Sequence, residues 1–281
     1  MEGVTRIPRF EAKASGEAIP ALRQTGVAII DDLATADAID RLRDAIMARH
    51  PEFVSKHLLR DFQDNGAGRF VAPVAITRAV HDSGALTSAA LRTVADRALG
   101  PDWVFEAVGL LMAFPGCTRQ RPHRDGTALF PETPLGAILP AYALTVVIPL
   151  VDVDASNGAT AFQPGTHRLA DAAPEGDSIT ADLPRGSCIL WNYLTVHWGE
   201  PNHSQHSRPA LYATICRPFW TDTANFGDTM HTRLLVDDGV LPLLDRRFAR
   251  APGYRRPADQ AAGAAKVGTG GEQADQTASS A

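Results

Sequence analysis

The chain has 281 residues, 44% hydrophobic and 21% charged, which suits one large domain with a full core and excludes a disordered or fibrous chain. A formal net charge of -5 offers no basic field for phosphates, so a nucleic-acid partner is not expected. The longest apolar runs, such as residues 144–151, are too short to cross a bilayer, and the first ten residues lack the apolar stretch of a secretory signal; a cytoplasmic protein without a membrane span is expected.

The predicted elements begin with a short buried strand over residues 27–30, after Gly26. Thr35 is placed to cap a helix that carries Ile39, Leu42 and Ile46 on one face. Residues 51–82 mix aromatic, charged and glycine residues without a period; such a segment is either a cover over an active site or an ordinary surface connection. A second helix is predicted from about Thr87 to Leu99, with Leu91, Val94, Ala98 and Leu99 at helical spacing and Gly100-Pro101 as its stop.

From Val104 the pattern changes to short β-rich runs at 104–114, 142–151, 160–163, 188–196 and 211–215. Pro115-Gly116, Asn157-Gly158, Pro164-Gly165 and Arg185-Gly186 punctuate them, as in an antiparallel sandwich or barrel. Helices first and strands later predict an α+β fold in one domain over residues 1–256, with its β core at about 102–220. A helix is expected over 241–250. The tail 257–281 is rich in Ala, Gly, Gln, Ser and Thr and is expected to be disordered for lack of apolar surface. Cys117, Cys188 and Cys216 are an odd number without paired spacing, so they read as small buried residues and not as a disulfide or zinc framework.

In His123-Arg124-Asp125 the two potential ligands are one residue apart, which in an extended chain points both to the same face. With 9 His and 32 acidic residues, about one such pair arises from composition alone. A distant third ligand adds weight. His197 ends the β-like run 189–196, and two imidazoles with one carboxylate form a face that suits Fe(II) and leaves positions open. Eleven residues later comes Arg208, just before the run 211–215. A dicarboxylate that chelates iron at its 2-oxo acid end needs a cation at its far end, and a guanidinium grips a carboxylate through two parallel hydrogen bonds.

Strand alternation places Trp191, Tyr193 and Thr195 on the side of His197, as an aromatic wall of the site or as core packing. Thr145 is a candidate hydroxyl contact to the co-substrate. Arg119 and Arg121 share the parity of His123 and are candidates to meet an anionic substrate, although Pro122 disturbs the strand. His167 reads as a structural hydrogen-bonding residue, and His203 and His206 compete as ligands only through proximity in sequence.

Four motifs combine over roughly residues 20–220. They are Phe114-Pro115-Gly116 followed by His123-Arg124-Asp125; Asn157-Gly158 through Pro164-Gly165-Thr166-His167-Arg168; Gly186-Ser187 through His197; and Asn202 to Arg208. In this combination the sequence resembles the phytanoyl-CoA dioxygenase family of Fe(II)/2-oxoglutarate-dependent oxygenases. The resemblance implies a double-stranded β-helix (jelly roll, cupin-like) core with N-terminal helices packed outside. It also implies Fe(II), 2-oxoglutarate and O2 as cofactor and co-substrates, and a small-molecule substrate hydroxylated at an unactivated C–H bond with release of succinate and CO2. Related halogenating enzymes lack the carboxylate that Asp125 supplies, so its presence points to hydroxylation, desaturation or ring formation. The rival from another class is a non-catalytic β sandwich that binds a small molecule or partner. A metal hydrolase leaves Arg208 without a task, and no serine or cysteine nucleophile motif is present.

Overall fold

The computed structural model describes residues 4–54, 63–64, 68–169, 176–225 and 233–254. The tail 257–281 and residues 55–62 and 65–67 of the expected cover lie outside the described residues. The strands are β1 (Arg9–Glu11), β2 (Val27–Asp31), β3 (Gln63–Asp64), β4 (Arg69–Pro73), β5 (Val104–Ala113), β6 (Ala143–Pro149), β7 (Thr160–Phe162), β8 (Cys188–Asn192), β9 (His197–Gly199) and β10 (Arg208–Cys216). Eight of them form one sheet in the order β1-β2-β8-β6-β10-β5-β4-β3. Its pairings are antiparallel except β1 with β2.

The facing sheet is built on β7 and β9 and is widened by bridges of His123 to His197 and of Phe162 to Ile179. Two opposed antiparallel layers with long crossing connections give the expected double-stranded β-helix.

Alternation along the strands separates two interiors. On β6, β8 and β10, Leu144, Val146, Ile148, Leu190, Leu211, Ala213 and Ile215 pack outward with helix residues Leu22, Ile39, Leu42, Leu91 and Leu99. Val147, Ile189, Trp191 and Ala210 turn inward, with Phe162 and Leu183. A period of two thus gives each strand one face for the helices and one for the gap between the sheets. The helices are α1 (Ala18–Thr25), α2 (Ala36–Arg49), α3 (Arg78–Asp82), α4 (Ala89–Leu99) and α5 (Leu135–Ile138). Thr35 caps α2 through the Ala38 amide, as its sequence position predicts. Among the described residues no helix is long and apolar enough to cross a membrane.

Three expectations need correction. The run 188–196 is not one strand: β8 stops at Asn192, whose side-chain oxygen accepts the Leu194 amide at 2.9 Å. After a turn the chain enters the other sheet as β9 at His197. Residues 241–250 form two separate 3-10 turns, Leu241–Leu243 and Arg246–Phe248, and not a continuous helix; Leu244 and Asp245 are extended between them, and the Asp245 side chain caps the second turn through the Arg247 amide. Arg208 is the first residue of β10 and does not precede the strand. All three cysteines are buried and free, as expected.

Candidate active site

The bridge between His123 and His197 joins two distant stretches of chain by reciprocal backbone hydrogen bonds of 3.0 and 2.9 Å. Their rings lie 4.4 Å apart between centroids. Asp125 follows on the same stretch, with its amide donating to the Tyr193 carbonyl at 3.1 Å. One ligand atom from each of His123, Asp125 and His197 then falls within 4.8 Å of the others. His197 Nε2 and Asp125 Oδ1 are 3.5 Å apart.

The hydrogen bonds around these residues set their protonation and direction. His123 Nδ1–H donates to the Arg121 carbonyl at 2.9 Å and His197 Nδ1–H to the Thr195 carbonyl at 3.0 Å. A carbonyl only accepts, so each ring carries a proton on Nδ1, and in the neutral imidazole that leaves the Nε2 lone pair for a metal. Asp125 Oδ2 accepts from Thr145 Oγ1 at 2.6 Å and from Trp191 Nε1 at 2.8 Å, which leaves Oδ1, on the side of the histidines, for a metal. Burial pushes the His197 imidazole toward its neutral form, partly opposed by the Asp125 charge and aided by His123. Two imidazole nitrogens and one carboxylate oxygen, converging and held from behind, fit a divalent iron.

The triad lies in a cavity of about 230 Å³ that also holds Arg208, Thr145, Tyr193, Arg69, Tyr212 and Trp191 in its walls. Arg208, Ala210, Tyr212 and Thr214 face it from alternate positions of β10. The Arg208 side chain makes no hydrogen bond or ion pair with any described residue, and its pKa is pushed down to about 10 by burial and by the Arg69 cation. It remains charged at neutral pH. By accessible surface Arg208 is half-buried, so its guanidinium stands open to the cavity, where a carboxylate would pair with it.

The other sequence candidates divide. Trp191 forms a wall, its ring 4.9 Å from that of His197. Tyr193 also lines the cavity, but its hydroxyl donates to the buried Asp222. Thr195 is spent on the Gly26 carbonyl at 3.0 Å, because the turn after Asn192 breaks the expected alternation. Thr145 lines the cavity and orients Asp125. The Arg121 side chain is exposed and absent from the cavity wall; its carbonyl is what serves the site. Arg119 lies over the Trp198 ring at 4.5 Å and pairs with Glu200 at 3.5 Å. His167 is structural, held to the Arg23 carbonyl at 3.2 Å, and His203 and His206 are exposed and outside the triad.

Sequence reasoning missed Arg69, Tyr212 and Asn225, which line the cavity. Arg69 belongs to the patternless stretch 51–82 and, as the first residue of β4, reaches the site because Arg69 and Arg208 both register against Ala113, from opposite sides of β5. Its guanidinium donates to the Thr118 and Glu200 carbonyls. Asn225 donates to the Asp125 carbonyl at 2.8 Å. Tyr212 has the parity of Arg208 on β10, a signal hidden when Arg208 is placed before the strand.

Five of the seven exposed large apolar side chains among the described residues are Phe130, Leu135, Ile138, Leu139 and Leu169. Four lie on the stretch that leaves Asp125. The fifth, Leu169, is tied by its carbonyl to Arg124 of the cavity wall at 2.8 Å.

Comparison with known proteins agrees with this architecture. The sequence model of the phytanoyl-CoA dioxygenase (PhyH) family matches residues 22–210. Dioxygenase trt7 of Aspergillus terreus is 22% identical over 238 residues, 82% of this chain and 82% of its own length. Dioxygenase aneA of Aspergillus aculeatus is 30% identical over 154 residues, and the match spans 52% of this chain and 50% of aneA. Among solved structures, AviO1 from Streptomyces viridochromogenes superposes with a TM-score of 0.59 at 20% identity, covering 74% of this chain and 97% of AviO1. SnoN, a non-heme alpha-ketoglutarate-dependent epimerase from nogalamycin biosynthesis, gives 0.53 at 17%, covering 78% of this chain and 87% of SnoN. The solved structures show the shared fold, and the family match, which spans both candidate ligand stretches and Arg208, adds the chemistry: the chain belongs to the phytanoyl-CoA dioxygenase family and is an Fe(II)- and 2-oxoglutarate-dependent oxygenase.

Proposed function

We propose that His123, Asp125 and His197 hold the iron, that Arg208 holds the distal carboxylate of 2-oxoglutarate, and that the enzyme hydroxylates an unactivated C–H bond of a small organic substrate. The observation that carries this reading is the Arg208 guanidinium, without a partner among the described residues, in the same cavity as the triad. When bound, iron with 2-oxoglutarate and O2 supplies the oxidation of the substrate, with succinate and CO2 as co-products.

The chain's own contribution is positional. The Arg121 and Thr195 carbonyls keep the two imidazoles in the ligating tautomer, and Thr145 with Trp191 keeps the Asp125 carboxylate from rotating. Arg208 fixes the co-substrate by charge and by its fork of donors. Trp191, Tyr193, Val147 and Leu111 give the cavity an aromatic and aliphatic wall that limits water around the reacting bond. The exposed apolar side chains Phe130, Leu135, Ile138 and Leu139 on the stretch that follows Asp125 suit a substrate with an apolar body, whose C–H bonds need a strong oxidant. Asp125 supplies the carboxylate that related halogenating enzymes lack, which favours hydroxylation, desaturation or ring formation over halogenation.

Anaerobic addition of Fe(II) and 2-oxoglutarate is expected to produce a visible charge-transfer band that His123→Ala abolishes; retention of the band in that variant would refute the metal assignment. Incubation with metabolite extracts and O2 is expected to yield compounds that gain one oxygen in step with succinate. Compounds that lose two hydrogens, or that change configuration without gaining oxygen, would replace hydroxylation by desaturation or epimerisation.

A further inference from the structure

The inner face of β10 orders three polar groups along the cavity. Thr214 is opposite Thr145, the residue that holds Asp125, and so marks the metal end. Arg208 marks the other end, opposite Ala113. Tyr212 lies between them, opposite Val147 on one side and Gly109 on the other. A ligand that reaches from the metal to Arg208 therefore runs past Tyr212. Ala210, the inward residue between Arg208 and Tyr212, carries only a methyl group and leaves a groove there.

The Tyr212 ring is seated by the absence of a side chain at Gly109. A Cβ there would stand 2.5 Å from Cε1 and 3.0 Å from Cζ of Tyr212, and 2.5 Å from the Ala72 carbonyl oxygen. Gly109 lies inside a buried strand and has no positive φ. Its use is the close approach of the ring, at a cost in strand propensity. The phenol that this seating directs into the cavity has no hydrogen-bond partner among the described residues, unlike that of Tyr193, which is bound to Asp222, and that of Tyr142, which donates to the Thr127 carbonyl at 2.7 Å. Tyr212 is half-buried, so its hydroxyl is open to the cavity, where a ligand oxygen can reach it.

We propose that the Tyr212 hydroxyl is a second co-substrate contact, donating a hydrogen bond to an oxygen of 2-oxoglutarate while Arg208 grips its distal carboxylate. The inference rests on the assignment of Arg208 to that carboxylate. Burial, Asp222 and Asp125 all push the phenol pKa up, so the hydroxyl keeps its proton and can only serve a carboxylate as donor. Asp125 and Asp222 are the acidic groups that bear on it; Arg208 and Arg69 supply the positive charge of the cavity that draws the anion in.

The test is the affinity of Mn(II)-loaded protein for 2-oxoglutarate, measured by titration calorimetry without turnover, in wild type, Tyr212→Phe and Arg208→Met. Tyr212→Phe keeps the ring and removes only the donor, and is expected to weaken 2-oxoglutarate about tenfold, the size of one hydrogen bond to a charged acceptor, with unchanged Mn(II) affinity. Gly109→Ala keeps the donor and displaces the ring, and is expected to weaken the co-substrate as well. If Tyr212→Phe binds 2-oxoglutarate as wild type does while Arg208→Met is weakened, the contact is disproved and the Arg208 assignment stands. If Arg208→Met also binds as wild type does, or wild type does not bind, both are disproved.

Discussion

At one end of the cavity every polar side-chain atom of the triad that is not offered to a metal already has a partner; at the other end the Arg208 guanidinium has none among the described residues. The metal end is complete before anything binds. Its hydrogen bonds come from backbone carbonyls and from two buried side chains on adjacent strands, so ligand direction is set by the fold itself. The Arg208 end is electrostatically open, with a second guanidinium, that of Arg69, adding to the field. A preorganised metal site can be strong without strain, whereas an open cation stores a cost that a carboxylate removes on binding. The two ends should therefore respond to substitution with opposite signs of stability.

The largest effect is expected at the complete end. His197→Ala removes a ligand and is expected to abolish Fe(II) binding and succinate formation together, as checked by metal content after dialysis and by product assay. Measurable iron at wild-type stoichiometry would place the metal elsewhere. The contrast is sharpest at the open end: Arg208→Met is expected to weaken 2-oxoglutarate by about 10- to 100-fold, the value of a charge-assisted pair. Without ligand the same variant should be stabilised by on the order of 1 kcal/mol, because the partnerless charge is gone. A lower melting temperature would show that Arg208 has a structural partner and would break the comparison.

Thr145→Val and Trp191→Phe each remove one hydrogen bond to Asp125 Oδ2 and are expected to lower metal affinity about 10-fold or more, with the co-substrate affinity of the metal-loaded form little changed. Equal losses in both affinities would mean that the two ends are not separable.

The smallest effect concerns His167, which supports the metal end from behind through the turn whose Thr166 Oγ1 accepts the Val196 amide at 2.9 Å. Burial lowers its pKa from 6.5. A histidine with a depressed folded pKa keeps its full stability above the unfolded value and loses it as pH falls through the folded one, because the unfolded chain binds the extra proton. Stability is thus expected to fall as pH drops below about 6.5, and His167→Asn is expected to flatten that slope. Urea midpoints at pH 7 and pH 5 would measure it.

The two ends also differed in how far they could be read. His123, Asp125 and His197 stand in local motifs, and the 2-residue spacing of the first pair is a strand property that survives without knowing the fold. Arg208 was legible as a cation at a fixed distance after His197, but its lack of a partner was not, because pairing depends on what other strands bring near. Thr145 was read as a contact to the co-substrate, and the structure gives its hydrogen to Asp125. The run 188–196 misled for a physical reason: a continuous β-rich stretch carries no mark of which sheet each half joins. The turn at residues 193–196 therefore separates Trp191, which faces the site, from Thr195, which holds Gly26.

By itself the sequence determined the helices-then-strands order, the alternation that splits the core into two interiors, and the residue types of an iron and dicarboxylate site. Local propensity and spacing suffice for these. Only the tertiary structure decided that Arg121 points away while its carbonyl orients His123, that Arg69 and Arg208 share a cavity across β5, and that Tyr212 reaches into it over Gly109. Each of these is a relation between strands distant in sequence, set by register and by the space a neighbour leaves, which no single segment encodes.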